Sequence, residues 1–124
     1  YLLNVHESPN GFRWKHNPGH NDLAVIEEGM VTSDEPGVYI EGKFGIRIEN
    51  ELVCVKDCDN EYGTFLKFDT LTMVPIDREL IDVKYLDAVD IARINEYHKR
   101  VSEVLSPHME GDEHEMLAEA TEAF

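Results

Sequence analysis

The chain has 124 residues, 26 of them acidic and 11 basic, for a formal net charge of −15. That length suits one domain or part of one, with a core that buries roughly two-thirds of the unfolded chain's surface. So negative a chain lacks the basic face that nucleic acid or an anionic membrane demands, and no run of about 18 apolar residues exists to cross a bilayer.

Residues 1–24 are rich in His, Asn, Gly and Pro and read as a strand end followed by a long loop. The opening Tyr1-Leu2-Leu3-Asn4-Val5 is too short for a signal-peptide core and has no basic flank. The chain does not begin with Met, so the expectation is a processed chain or a piece of something longer. Glu27-Glu28-Gly29 is a turn before a strand at Met30-Val31-Thr32. Val38-Tyr39-Ile40 is a short β run, and Gly42-Lys43 suits a hairpin turn after it. Phe44, Ile46 and Ile48 alternate with Gly45, Arg47 and Glu49. That period of two puts Arg47 and Glu49 on one face and the apolar residues on the other. Glu51–Lys56 is a further strand, expected to return across a turn at Glu49-Asn50. Within it Cys54 sits in an apolar alternation and reads as buried. Cys58 follows in a polar turn, and the two read as free thiols in a reducing compartment. Thr64–Phe68 and Thr70–Val74 read as two more strands, separated near Asp69 and closed by Pro75.

Residues 87–105 read as a helix. Asp87 caps it and Asp90 favours the positive end of its dipole. Ile91, Ile94, Tyr97, Val101, Val104 and Leu105 have the spacing of one buried face, and Ser106-Pro107 stops it. Asp112–Glu122 can form a last short helix with Met116, Leu117 and Ala120 on one side. From Val101 onward there are seven acidic residues and no Lys or Arg, the pattern of a solvated acidic tail. Strands first and helices last make the fold class α+β. The expected division is residues 1–76 and a helical extension, 77–124.

The polar residues of interest are His6 in Asn4-Val5-His6-Glu7-Ser8-Pro9, Glu35 in Thr32-Ser33-Asp34-Glu35-Pro36-Gly37, and Glu49 in Gly45-Ile46-Arg47-Ile48-Glu49-Asn50. A carboxylate that points inward from a strand must be paired, protonated or metal-bound. Singly, each such residue reads as solvated surface. His16 and His20 are four apart, but Pro18-Gly19 between them makes a loop of the segment and removes the helical meaning of the spacing. Phe12 and Trp14 fit a pocket lining and a loop anchor equally. His108 and His114 among the acidic residues read as a solvated helix.

Taken together with their flanks, the three motifs closely resemble the metallopeptidases of the pita-bread fold: methionine aminopeptidase, creatinase, prolidase and aminopeptidase P. The long, multi-domain aminopeptidase P branch is the nearest in pattern. Thr64-Phe65-Leu66-Lys67-Phe68-Asp69-Thr70-Leu71-Thr72-Met73-Val74-Pro75-Ile76 and Asn95-Glu96-Tyr97-His98 are similar to the segments that follow the catalytic core there. The resemblance implies the C-terminal portion of a pita-bread domain, antiparallel strands followed by helices. It implies two divalent metals, manganese by family habit, held by two Asp, one His and two Glu. Glu35 would bind one metal and act as general base, and Glu49 would bridge both. His6 would contact substrate, and Arg47 would orient a metal-bound carboxylate, a task its fixed fork suits.

The two Asp ligands and the His ligand lie upstream of this motif set in the family, and the chain starts after them. The expectation is therefore a C-terminal part of an Xaa-Pro aminopeptidase, inactive alone and partnered by the missing N-terminal part of the parent. The implied substrate is a peptide with proline second, the compartment cytoplasmic, and the C-terminal helices a dimerisation or domain-docking extension. Prolidase-like cleavage of Xaa-Pro dipeptides is the alternative with the same ligands. A non-catalytic binding protein of this fold is the alternative from another class.

Overall fold

A computed structural model describes residue 11 and residues 24–124. His6, Phe12, Trp14, His16 and His20 lie outside the described residues. The chain forms two compact units, Tyr1–Thr72 and Met73–Phe124.

The described residues of the first unit form antiparallel strands. β1 (Val31–Asp34), β4 (Asn50–Asn60) and β5 (Gly63–Thr70) form a sheet in the order β1-β4-β5. β2 (Gly37–Ile40) and β3 (Phe44–Arg47) form a second, two-stranded sheet. Leu52-Val53-Cys54-Val55 supplies the apolar, β-branched residues that favour the central strand, and Cys54 is fully buried there as expected. Both cysteines are free; Cys58 is exposed and lies within β4, paired with Phe65, where the sequence suggested a turn. The β2–β3 turn needs a left-handed residue, which Gly42 supplies at φ 70°; Lys43 N–H then donates to Ile40 O at 3.0 Å.

Two strand expectations are corrected. No turn forms at Glu49-Asn50: β3 pairs with β2, while Asn50 pairs with Asp34 of β1. Both ladders keep one antiparallel register, from Val31↔Val53 down to Ile40↔Phe44, so they are one ribbon broken in the middle. The break falls at Glu35-Pro36. Proline has no N–H to give a ladder, and there the bridging bond is Ile48 N–H to Pro36 O at 3.3 Å. Second, the segment near Asp69 is continuous: β5 runs through it, Asp69 pairing with Val53, and ends at Thr70. The ladder stops because the next donor, Glu51 N–H, is taken by the Thr72 side-chain hydroxyl at 2.8 Å.

In the second unit, α1 (Ala88–Leu105) starts as read. The Asp87 carboxylate accepts from Val89 and Asp90 N–H, and Asp90 returns a bond to Asp87 N–H in a capping box. Those two backbone donors hold the Asp87 carboxyl below its ordinary value. Of the expected apolar face Val101 is fully buried, but Val104 is exposed. α2 (Asp112–Ala120) buries Leu117 and leaves Met116 outward, contrary to the shared side expected of them. Successive helical residues lie about 100° apart, so one of two neighbours turns away.

His98 occupies the space on α1 that the apolar reading overlooked. It is fully buried, and its Nε2 accepts from Ile76 N–H at 3.0 Å. One helical position earlier, Tyr97 Oη donates to Val74 O at 2.8 Å. The two bonds tie residues 74–76 to the helix. Arg78, just after, donates to the Glu119 and Ala123 carbonyls at the end of α2.

The acceptor role of Nε2 requires the neutral ring. Burial, reinforced by the Arg78 guanidinium, lowers the His98 pKa from its ordinary value. A depressed folded value means stability that is full above the unfolded pKa of about 6.5 and declines as pH falls below it. Thermal denaturation is expected to show a lower midpoint at pH 5.5 than at pH 7.5. The difference should shrink in His98→Gln, whose amide oxygen accepts without titrating. His98→Ala, which removes the acceptor and opens a cavity, should cost about 3 kcal/mol in chemical denaturation.

Candidate active site

The broken ribbon decides where the polar residues go. Side chains alternate across a strand, and the shared register places Glu35, Gly37 and Tyr39 on the same face as Gly45, Arg47 and Glu49. The rungs Asp34↔Asn50 and Gly37↔Arg47 flank the break, so Glu35 lies across from Glu49. Val38, Ile40, Phe44 and Ile46 take the opposite face and are all exposed.

Like charges facing each other in a ribbon repel. Arg47 answers this. Its Nη1 is ion-paired with Glu35 Oε2 and lies 3.6 Å from Glu49 Oε2. The guanidinium does not hang free. Its Nε donates to Tyr39 Oη at 2.8 Å, leaving the fork turned to the carboxylates. The Tyr39 bond first, then Glu35, raises the Arg47 pKa further above an already high value, so this is a permanent cation. Ser33 Oγ donates to Glu35 Oε1 at 3.4 Å.

The structure thus brings together Glu35, Arg47 and Glu49, as the alternation in the sequence indicated for the latter two. It adds Tyr39, which sequence reasoning had treated only as part of a β run. The signal was present in the two glycines that share its face. A glycine inside a strand marks a close approach by something.

Among the described residues, no three His, Cys, Asp or Glu side chains gather to hold a metal ion. Glu35 and Glu49 still provide hard oxygen donors on one face, the donor type that suits manganese or magnesium. The described residues also carry an open groove of about 720 Å³ on the second unit. Asn95, Lys99 and Glu103 of α1 and Ala118 and Thr121 beside them line it. It contains none of these ligand candidates.

The model of metallopeptidase family M24 matches residues 2–56, and that of the C-terminal region of peptidase M24 matches residues 64–124. The chain belongs to the M24 metallopeptidases. Among the M24 relatives, Aminopeptidase P2 of Arabidopsis thaliana is 39% identical over 113 residues, 88% of this chain and 15% of that protein. Probable Xaa-Pro aminopeptidase P of Pyrenophora tritici-repentis is 44% identical over 115 residues, 90% of this chain and 19% of its own length. The crystal structure of X-prolyl aminopeptidase from Caenorhabditis elegans, described as a cytosolic enzyme with a di-nuclear active site, superposes with a TM-score of 0.73 at 35% identity. That match covers 98% of this chain and 20% of the enzyme, so the M24 fold of the chain is that of an X-prolyl aminopeptidase over this stretch. The chain spans a fifth or less of the length of these relatives.

Arg47 and Glu35 are both partly solvent-exposed, so their ion pair contributes little to folding. Arg47→Ala is expected to leave the thermal midpoint nearly unchanged in low salt and unchanged in molar salt, where screening removes the remainder. A large drop in both would mean that Arg47 is a folding residue.

Proposed function

We propose that this chain is the C-terminal part of the catalytic region of an Xaa-Pro aminopeptidase that works with two divalent metals, manganese being the natural choice for these oxygen donors. The observation that carries the reading is the facing pair Glu35 and Glu49 with Arg47 between them. Two opposed carboxylates on a strand face are a poor arrangement for folding and a good one for binding cations. The names and reach of the relatives support the rest.

The bound metals would supply activated water and charge stabilisation at the scissile carbonyl. In this reading Glu35 takes the proton from the attacking water and passes it to the leaving amine. Glu49 would help to hold the metals with its carboxylate oxygens. Arg47 keeps both carboxylates aligned, and His6 contacts the peptide and steadies the charge that develops on the carbonyl oxygen. The substrate is a peptide whose second residue is proline. Its tertiary amide has no N–H and a fixed φ, which a general exopeptidase handles poorly.

The remaining Asp and His ligands come from the parent's upstream sequence, and the exposed apolar face of β2 and β3 is where a larger protein would pack. The parent is cytoplasmic in this reading, and residues 77–124 serve as its docking or dimerisation extension. Among the described residues no helix is long and apolar enough to cross a membrane.

The 124-residue chain alone should hydrolyse no Xaa-Pro peptide with added manganese; metal-dependent turnover by the pure chain would refute the division of ligands. In the intact protein, Glu35→Gln should lower kcat by about 10²–10⁴-fold, the usual value of a general base. Glu49→Gln should lower bound metal measured by elemental analysis. Full activity and metal content in both variants would sink the assignment.

A further inference from the structure

Gly37 and Gly45 need an explanation that the ligands do not give. Gly37 opens β2 and Gly45 lies inside β3, and in a strand glycine costs entropy and packs nothing. Neither has the positive φ that requires glycine; those belong to Gly29, Gly42, Gly63 and Gly111. The backbone at both positions would accept any residue.

What would not accept one is Tyr39. A Cβ built on Gly45 falls 2.5 Å from Tyr39 Cδ1 and 2.9 Å from Cε1. A Cβ built on Gly37 falls 2.8 Å from both Cε2 and the phenol oxygen. All four distances are far inside ordinary van der Waals contact. The register explains the path. Gly45 is the rung partner of Tyr39, and Gly37 is the rung partner of Arg47. The ring therefore lies flat across bare backbone, from beside Gly45 over Gly37, and its hydroxyl ends against Arg47 Nε.

We propose that Gly37 and Gly45 are positioning residues: they form the floor on which Tyr39 lies, and the ring laid there aims the Arg47 fork at Glu35 and Glu49. A methyl group at either position lifts the ring and takes the acceptor away from Nε. The guanidinium then loses its Nε bond and keeps only the contacts of Nη1 with the carboxylates, so its rotation about the end of its side chain is no longer fixed from both sides and the two carboxylates lose their alignment. The catalytic consequence rests on the function proposed above; the Gly–Tyr–Arg chain of contacts does not.

The test is a double-mutant cycle in the intact protein, Gly45→Ala and Gly37→Ala each made in the native and in the Tyr39→Ala background. The direct readout is the Nε–H resonance of Arg47 in protein labelled at arginine ¹⁵Nε. In the native background Gly45→Ala should shift or broaden away that resonance. It should also lower kcat by about 10–100-fold, the usual cost of losing an outer partner of a metal ligand, with KM changed by less than about threefold. In the Tyr39→Ala background, where no ring needs the floor, adding Gly45→Ala should cost nothing further in either readout. An Arg47 resonance unmoved by Gly45→Ala would overturn the proposal, as would an equal added loss in both backgrounds. Failure of Gly45→Ala to fold in the native background alone supports the ring clash; failure in both means the backbone itself requires glycine and overturns it. If the unsubstituted intact protein cleaves no Xaa-Pro peptide, the proposed function falls and the resonance still decides the positioning.

Discussion

Two negative charges held opposite each other, on one face of a ribbon, are the constraint around which the first unit is arranged. Glu35 and Glu49 fall at the one place where the β1–β4 and β2–β3 ladders are interrupted, and both are within reach of Arg47. Without an intervening cation the pair would repel. Arg47 supplies one positive charge for two negative ones, so the site keeps a net attraction for further cations. A guanidinium does this better than an ammonium would, because its planar fork can be fixed by one hydrogen bond and still present donors elsewhere. Tyr39 supplies such a bond at Nε, beside the ion pair of Nη1 with Glu35.

The break in the ribbon has a simple cause. Pro36 cannot donate to a ladder, so regular pairing stops beside it and resumes at Gly37↔Arg47. Its carbonyl still accepts from Ile48 N–H, which keeps the two strands in step through the gap. Because the register survives, face alternation survives too, and Glu35 and Glu49 share a face with Tyr39 and Arg47. A one-residue slip would have sent one carboxylate among Val38, Ile40, Phe44 and Ile46 on the other face. Proline, glycine and alternation thus act together: one opens the ladder, one admits the ring, and the third keeps the polar groups on a single side.

The second unit relies on a different device. A segment without regular structure, residues 74–76, is held to α1 by a tyrosine hydroxyl and a histidine nitrogen, and Arg78 then reaches the end of α2. These are directional polar contacts in a unit with few buried apolar side chains, Val101 and Leu117 among the described residues. A buried polar group bonded in this way gives up little, whereas losing its partner is costly. One of the two contacts that hold this segment therefore requires the neutral form of an imidazole.

Much was legible in the sequence because it depends on local rules. The Asp87 cap and the span of α1 follow from capping chemistry and from apolar residues three and four apart; the burial of Cys54 and the separation of Arg47 from its apolar neighbours follow from alternation. The motifs around Glu35 and Glu49 were enough to indicate the family. What the sequence could not supply was pairing. Nothing in Glu49-Asn50 states that Asn50 will seek Asp34 sixteen residues back, nor in Asp69-Thr70 that the strand will run on until a threonine hydroxyl takes the facing Glu51 N–H. Likewise the burial of His98 and the exposure of Val104 and Met116 depend on which side of each helix meets a neighbour. The sequence by itself determined α1, most of the strands and their alternation, and singled out Glu35 and Glu49 as candidates. Only the tertiary structure decided that Glu35 faces Glu49 and that Tyr39 crosses two glycines to reach Arg47, because strand register is fixed by contacts between residues distant in the chain.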